Sequence, residues 1–211
     1  MSGSYVEYLR DQYQAHPSWL EEHRRWVKRY EISGRVLDAG SGFGHLALAC
    51  EEAGCKVLGV ERDGAIAVEA AATTGFKNTV WGDVSALPFK EASFDWVLSN
   101  QVIEHLRDPS SFLRECTRVL ASDGRLFLTT PNRRSHFATR RPKRLLEALM
   151  GRAKSDPTHV HEFVPRELAR LIEANRLRVL CQEAVGRLSS SWTTRAFAGG
   201  TLIVARKQAL E

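Results

Sequence analysis

The sequence is poor in cysteine and contains no long apolar run. Its four cysteines, Cys50, Cys55, Cys116 and Cys181, show no C-x-x-C spacing, and free thiols in apolar surroundings act as small core residues. No stretch approaches the roughly 18 apolar residues that a membrane span requires. The first residues also lack a basic region followed by an apolar segment. We therefore expect a reducing cytoplasmic setting, with neither export nor a membrane span.

Hydrophobic residues make up 43% of the 211 residues, which is enough for one substantial core. Five apolar runs of strand length, the last of them Leu126–Thr130, alternate with helical patterns such as Ala65–Thr73 and Ser110–Val119. This alternation predicts parallel strands joined by right-handed crossovers. Leu177–Glu183 and Thr201–Arg206 are predicted to add a sixth and a seventh strand. The expected fold class is α/β, with a doubly wound sheet.

A glycine-rich turn links the first apolar strand to a predicted helix from Phe43 to about Ala53. The turn has the pattern Asp-x-Gly-x-Gly-x-Gly, formed by Asp38, Gly40, Gly42 and Gly44. Glycine lets a ligand approach the backbone closely, and the start of the following helix presents unpaired N–H groups. We therefore expect a ligand with polar groups on this turn.

The spacing of these glycines separates two classes of ligand. A dinucleotide fingerprint would need its last glycine at position 45, which holds His45. Asp38, two residues before the first glycine, suits a ligand with an amino group better than a pyrophosphate. A nicotinamide cofactor is therefore disfavoured, although it stays open.

Two further strand ends carry acids. The run Lys56–Val60 ends in Glu61, 23 residues after Asp38, and an acid at about this distance holds the ribose hydroxyls in nucleotide-binding α/β folds. The run Asn78–Trp81 leads to Asp83, whose carboxylate can accept from an adenine amino group. Three acids at the ends of successive strands predict a ligand with an adenosine part.

On these residues the chain resembles the class I S-adenosylmethionine-dependent methyltransferases, in the small-molecule branch that includes ubiquinone-pathway O-methyltransferases. The resemblance covers roughly Gly34 to Arg206, and the segments Phe94–Asn100 and Val102–Leu106 are also typical of this branch. It implies a Rossmann-like, mostly parallel seven-stranded sheet with helices on both faces and an antiparallel last strand. It also implies S-adenosyl-L-methionine as cofactor and S-adenosyl-L-homocysteine as product.

The resemblance further implies where the cofactor binds. The turn would hold the methionine portion together with Asn100, Glu61 would hold the ribose, and Asp83 with the Val84 backbone would hold the adenine. The complete predicted set of cofactor-binding residues is Asp38, Gly40, Ser41, Gly42, Gly44, Glu61, Arg62, Asp83, Val84 and Asn100.

We expect a single methyltransferase domain over residues 1–211. Its predicted parts are a helical N-terminal lid (1–33), a cofactor-binding core (34–130), a basic insertion that covers the substrate (131–158) and a C-terminal helix with strands (159–211). Ser18 is a good N-cap, so Ser18–Tyr30 is predicted to be a helix. Whether this leader covers the cofactor or only packs on the sheet stays open.

The insertion is cationic, and residues 133–152 contribute much of the net charge of +5. A basic amphipathic segment can bind an anionic membrane surface, where each cation contributes on the order of 1 kcal/mol. It can equally neutralise an anionic substrate or RNA, or be a solvated cover. Ubiquinone-pathway O-methyltransferases carry an insertion here, followed by a motif that Thr158–Leu168 resembles, and this favours peripheral membrane contact.

Some quinol methyltransferases bind a divalent metal through Glu-x-x-Glu-His, and the corresponding residues here are Gln101, Glu104 and His105. One anionic ligand for a hard cation such as magnesium is therefore missing, and we expect no required metal, although His159 and His161 are alternative ligands. If the acceptor is a hydroxyl, His105 is the candidate catalytic base, followed by His159 and His161.

The leading hypothesis is in-line transfer of a methyl group to a small molecule, above all to a hydroxyl of an aromatic, lipid-linked or sugar acceptor. One alternative is a methyltransferase of RNA or protein that uses residues 133–152. Another is a non-catalytic protein that keeps the cofactor fold, and a nicotinamide oxidoreductase is more distant. The acceptor atom and the oligomeric state stay open.

Overall fold

The computed structural model describes residues 6–7, 10–11, 18–132, 159–185 and 200–209. Nearly all of the predicted insertion 131–158, including its basic part 133–152, lies outside the described residues. The leader helix, the cofactor-binding core and the C-terminal strands lie within them.

Helices and strands alternate along the described chain. The helices are α1 (Ser18–Arg29), α2 (His45–Glu52), α3 (Gly64–Thr73), α4 (Pro109–Val119) and α5 (Pro165–Ala174), with a 3-10 turn at Ile103–His105. The strands are β1 (Arg35–Ala39), β2 (Lys56–Glu61), β3 (Thr79–Trp81), β4 (Phe94–Asn100), β5 (Leu120–Pro131), β6 (Leu177–Val185) and β7 (Gly200–Lys207). Asp63 and Asp108 cap α3 and α4 by accepting hydrogen bonds from backbone N–H groups of the first turn.

The seven strands form one sheet in the order β3-β2-β1-β4-β5-β7-β6. Strands β1 to β5 are parallel, whereas β7 runs antiparallel to both β5 and β6. The predicted α/β fold, with seven strands and an antiparallel last strand, is therefore confirmed.

Alternate side chains of the central strands divide the core into two layers. Leu37, Val97 and Leu126 pack on one face of the sheet, against apolar residues of α4 and α5. Their neighbours Val36 and Leu98 point to the other face, against α1 and α2. Burial on both faces explains why these strands are nearly continuous apolar runs.

Helix α1 is fixed to the sheet by aromatic contacts. The rings of Trp26 and Tyr30 lie 5.4 and 5.5 Å from the ring of Phe127 on β5. Arg24 also pairs with Glu52 of α2, its Nε lying 2.7 Å from a carboxylate oxygen. The leader helix is therefore part of the layer that covers one face of the sheet.

Strand β5 begins six residues earlier than the run Leu126–Thr130 indicates. Leu120 pairs with Phe94, and the register then shifts before Arg125 pairs with Trp96. The intervening Ala-Ser-Asp-Gly segment is typical of a turn, but the pairing of Leu120 holds it in an irregular extended path.

Within the part of the chain that the structure describes, no helix has both the length and the apolar character needed to cross a membrane.

Replacement of Gly44 by alanine tests the packing of the glycine turn. Gly44 has φ +76°, and an added Cβ would lie 2.6 Å from the buried ring of Phe76. We expect Gly44→Ala to lower the free energy of unfolding by about 2–5 kcal/mol, from left-handed strain and overpacking together. The measurement is urea unfolding without ligand.

Gly75→Ala is the matched control, because Gly75 has φ +83° with nothing within 4 Å of an added Cβ. It should cost only the left-handed strain of about 1–2 kcal/mol. Equal losses in the two variants would contradict the packing argument.

Candidate active site

The predicted functional residues gather at the carboxyl ends of β1 to β4. Strand β1 lies between β2 and β4. The chain continues from β1 to β2 and β3 on one side and then crosses back to β4 on the other side. In open α/β sheets this switch point opens a crevice outside the strand ends, where ligands bind.

Backbone hydrogen bonds fix the glycine turn across the ends of β1 and β2. The N–H groups of Gly40 and Ser41 donate to the carbonyl oxygen of Val60 at 2.8 and 3.0 Å. An added Cβ at Gly40 would lie 2.5 Å from Val102, whereas at Gly42 it would meet nothing within 4 Å. The turn is therefore packed at Gly40 and open at Gly42, where a ligand can approach the backbone.

The carboxyl group of Asp38 is buried behind this turn, with 2% of the residue exposed. It accepts a hydrogen bond from the backbone N–H of Ala47, in the first turn of α2, where the capping residue Gly44 has no side chain. Burial raises the pKa of Asp38 to about 7, the Ala47 hydrogen bond opposes this rise, and the nearby charge of Glu61 adds to it. A cationic group placed beside Asp38 would favour the ionised form.

Glu61 joins the turn to the start of α3. One carboxylate oxygen accepts from the N–H of Gly42 at 3.0 Å, and the other accepts from the N–H of Asp63 at 2.9 Å. Each oxygen keeps lone-pair capacity for a ligand hydroxyl. An added Cβ at Gly59 would lie 2.7 Å from Ser41 Oγ, so the missing side chain on β2 gives room to Ser41.

The remaining residues that are predicted to hold the adenosine follow β2 and β3. Asp83 is exposed and accepts from the N–H of Ser85 at 2.8 Å, whereas its neighbour Val84 is buried in the core. The carbonyl of the exposed Arg62 accepts from the Trp81 indole N–H at 2.8 Å. The predicted cofactor residues therefore lie around neighbouring strand ends.

Asn100 ends β4 within a chain of polar side chains. Its amide oxygen accepts from the hydroxyl of Thr129 at 2.5 Å, and Thr129 in turn accepts from the side-chain amide of Gln101 at 3.2 Å. Its amide nitrogen lies 3.5 Å from Nε2 of His23 on α1. Burial lowers the pKa of His23 to about 4, so this imidazole is neutral at physiological pH.

His23 was not among the predicted site residues. It lies three and four residues before Trp26 and Val27, both on the apolar side of α1, so the helical period predicts its burial. Its contact with β4 depends on the packing of α1 against the sheet.

The candidate base His105 lies just past β4, at the end of the 3-10 turn. The preceding Glu104 is buried, and its Oε2 accepts from the hydroxyl of Thr130 at 2.9 Å. The ring of His105 lies 4.8 Å from that of His159, at an interplanar angle of 66°. One ligand atom from each of Glu104, His105 and His159 lies within 4.8 Å of the others.

His161 has different neighbours from His159. Its Nε2 lies 3.4 Å from the carbonyl oxygen of Arg107, and its ring stacks on Phe163 at 5.7 Å. Of the two candidate histidines in this segment, His159 is therefore the one beside His105.

The buried Asp38 carboxyl predicts a dependence of stability on pH. The pKa of Asp38 in the folded chain exceeds the ordinary value of 3.8. The folded chain is therefore stabilised by the protonated carboxyl below about pH 4 and pays a growing penalty for ionising it as pH rises to about 7. Asp38→Asn removes this penalty. We expect the free energy of unfolding of the variant, relative to that of the wild type, to rise by about 1–3 kcal/mol between pH 5 and pH 8. Urea unfolding at both pH values measures it.

Asp83→Asn serves as the comparison, because it is the same replacement at an exposed carboxyl. An Asp38→Asn advantage that is constant with pH would show that the carboxyl ionises normally in the folded chain.

Comparisons with known proteins identify the family. A family model described as a methyltransferase domain matches residues 37–128. A probable S-adenosylmethionine-dependent methyltransferase of Mycolicibacterium smegmatis is 31% identical over 201 residues, covering 90% of this chain and 73% of the relative. The ubiquinone biosynthesis O-methyltransferase of Xanthomonas oryzae is 29% identical over 182 residues, covering 80% of this chain and 72% of that enzyme.

A solved structure agrees on the fold. An S-adenosylmethionine-dependent methyltransferase from Archaeoglobus fulgidus superposes with a TM-score of 0.70, at 20% identity, and covers 97% of this chain and 100% of that one.

The residues present fit S-adenosyl-L-methionine. The turn is open above Gly42, where the backbone can receive a ligand, and Asp38 lies behind it with a carboxyl that a ligand ammonium group would favour in ionised form. The family supports a methyltransferase over the oxidoreductase and non-catalytic alternatives. The chain therefore belongs to the S-adenosylmethionine-dependent methyltransferases and is an enzyme that uses S-adenosyl-L-methionine as its methyl donor.

Proposed function

We propose that this enzyme methylates a hydroxyl group of a small-molecule acceptor that is aromatic, lipid-linked or a sugar. The observation that carries the proposal is the position of His105, which follows β4 closely after Asn100 and lies beside His159 and the buried Glu104. At this end of the site, the imidazole of His105 can accept the proton of an acceptor hydroxyl. The name of the ubiquinone biosynthesis O-methyltransferase relative supports the same class of reaction.

We assign the donor side of the crevice to the cofactor. Asp38, with the turn from Gly40 to Gly44, would hold the methionine part, and Asn100 would lie against the same part. Glu61 and Arg62 would hold the ribose. One Glu61 oxygen accepts from the turn, the other accepts from the start of α3, and both keep lone-pair capacity for a ligand hydroxyl. Asp83 and the Val84 backbone would hold the adenine.

The cofactor supplies an activated methyl group on a sulfonium. The chain's own residues must therefore orient the acceptor oxygen in line with that methyl group and exclude water from it. Histidine is the side chain whose ordinary charge change falls between pH 5 and 8, which suits it to take the acceptor proton. We assign this role to His105, with the imidazole of His159 as its neighbour.

We also propose that residues 133–152 bring the enzyme to an anionic membrane surface from the cytoplasm. This segment contains seven lysines and arginines against one glutamate. The enzyme would then meet a lipid-linked acceptor at the surface of the membrane that contains it. Binding of the purified chain to phosphatidylglycerol vesicles but not to phosphatidylcholine vesicles, with loss at high salt, is the expected result.

The acceptor class is tested by methyl incorporation. The purified chain is incubated with methyl-labelled S-adenosylmethionine and, separately, with catechols, isoprenoid quinols, sugars, total RNA and protein. The proposal expects label in a base-stable ether of a phenol, quinol or sugar. Label in RNA, with a steep dependence on salt, would instead identify a nucleic-acid methyltransferase.

Replacement of Glu61 by alanine tests the donor side. We expect Glu61→Ala to weaken binding of S-adenosylhomocysteine by roughly 1–3 kcal/mol, because ribose hydroxyls lose a charged acceptor and the turn loses its tie at Gly42. Calorimetric titration measures it. The control is Glu91→Ala, which removes an exposed acid of the loop before β4 and should bind normally. Unchanged binding in Glu61→Ala would remove the ribose assignment.

Replacement of His105 tests the acceptor side. We expect His105→Ala to reduce kcat by about 10²–10⁴-fold, the usual contribution of a general base, while affinity for S-adenosylhomocysteine stays the same. Turnover close to wild type would make His105 structural.

A further inference from the structure

We infer that Glu104, His105 and His159 form a binding site for one divalent cation that prefers nitrogen ligands, with zinc as the representative ion. Their ligand atoms lie within 4.8 Å of one another. Three atoms at that spacing surround a point about 2.8 Å from each, and zinc lies about 2.0–2.1 Å from histidine nitrogen and carboxylate oxygen. Side-chain shifts of about 0.7 Å would therefore close the site.

Backbone hydrogen bonds bring the third ligand into place. The carbonyl oxygen of Glu104 accepts from the N–H of Val160 at 2.8 Å and from the N–H of His161 at 2.9 Å. The segment that starts at His159 is therefore held against the 3-10 turn that carries the other two ligands. A parallel bridge between Asn132 and Phe163 adds a second attachment.

The carboxylate of Glu104 has an orienting neighbour of its own. The hydroxyl of Thr130 donates to its Oε2 at 2.9 Å, inside a buried environment. Hydrogen bonds of this kind fix ligating carboxylates in metal sites, and their loss typically weakens metal affinity by 10–100-fold. The cluster thus has a built support around its anionic ligand.

The donor set selects the type of cation. Two imidazoles and one carboxylate, with a further position open, are the ligands of catalytic zinc sites. Magnesium prefers an octahedral set of oxygens, which this cluster does not supply. Gln101, at the place of the first acid of the Glu-x-x-Glu-His motif, has no carboxylate to offer, and its side-chain amide donates to Thr129. The residues present therefore do not fit magnesium and do fit zinc.

Occupancy would change the role of His105 given above. A ring nitrogen that ligates a cation is not a base, and a cation at this place would instead lower the pKa of an acceptor hydroxyl bound in the open position. This consequence rests on the proposed function, whereas cation binding itself does not.

The test uses the untagged full chain, freed of metal by dialysis against a chelator and titrated with Co²⁺ as a spectroscopic substitute for zinc. We expect one Co²⁺ per chain with a visible absorption band, displaced by Zn²⁺ and not by Mg²⁺. His159→Ala and Glu104→Gln should each weaken Co²⁺ binding at least 10-fold. His161→Ala is the matched control, because its ring lies on Phe163, and it should keep the band.

Three outcomes would overturn the inference. They are the absence of a stoichiometric band, displacement by Mg²⁺ as readily as by Zn²⁺, and equal losses in His161→Ala and His159→Ala. Circular dichroism and S-adenosylhomocysteine titration of each variant show whether it has folded. Because the titration contains no acceptor, its failure leaves the hydroxyl assignment standing. Failure of the acceptor screen, in turn, leaves the cation result standing.

Discussion

The site depends on one requirement, that the backbone N–H groups of the turn between β1 and α2 find acceptors. The carbonyl oxygen of Val60 accepts from the N–H groups of Gly40 and Ser41, and two strand-end carboxylates hold the rest of the connection into α2. Asp38 accepts a hydrogen bond from the N–H of Ala47 in the helix, and Glu61 accepts one from the N–H of Gly42 in the turn. The turn can therefore keep left-handed conformations at Gly40, Gly42 and Gly44 without losing backbone hydrogen bonds. The open face above Gly42 follows from this arrangement.

This arrangement has an electrostatic cost. Burial is the larger cause of the raised pKa of Asp38, and the nearby charge of Glu61 raises it further. A ligand ammonium group would favour the ionised form of Asp38 against both effects, so the site selects a cationic ligand. Proteins with binding sites of this kind commonly have a lower free energy of unfolding than they could have.

Local patterns in the sequence predict much of the fold. They do not predict which residues meet on the proposed acceptor side of the site. The segment Phe94–Asn100, which the family resemblance singled out in the sequence, is strand β4 to the residue. The start of β5 was missed, since Ala-Ser-Asp-Gly is typical of a turn and only pairing with β4 extends it. The sequence named both His159 and His161 as candidates. Which of them lies beside His105, 54 residues away, depends on hydrogen bonds to a backbone carbonyl, which leave no trace in side-chain identity. His23 was missed for a related reason, because its partner lies on another element.

The antiparallel insertion of β7 between β5 and β6 has a consequence for synthesis on the ribosome. Strand β5 carries the buried side chains of the sheet's centre, yet its second neighbour is made of residues 200–207, about 70 residues further along the chain. Until those residues emerge, β5 is an apolar edge with unpaired backbone groups, which is the kind of edge that aggregates. A nascent chain that pauses in this interval therefore exposes this unpaired edge for longer.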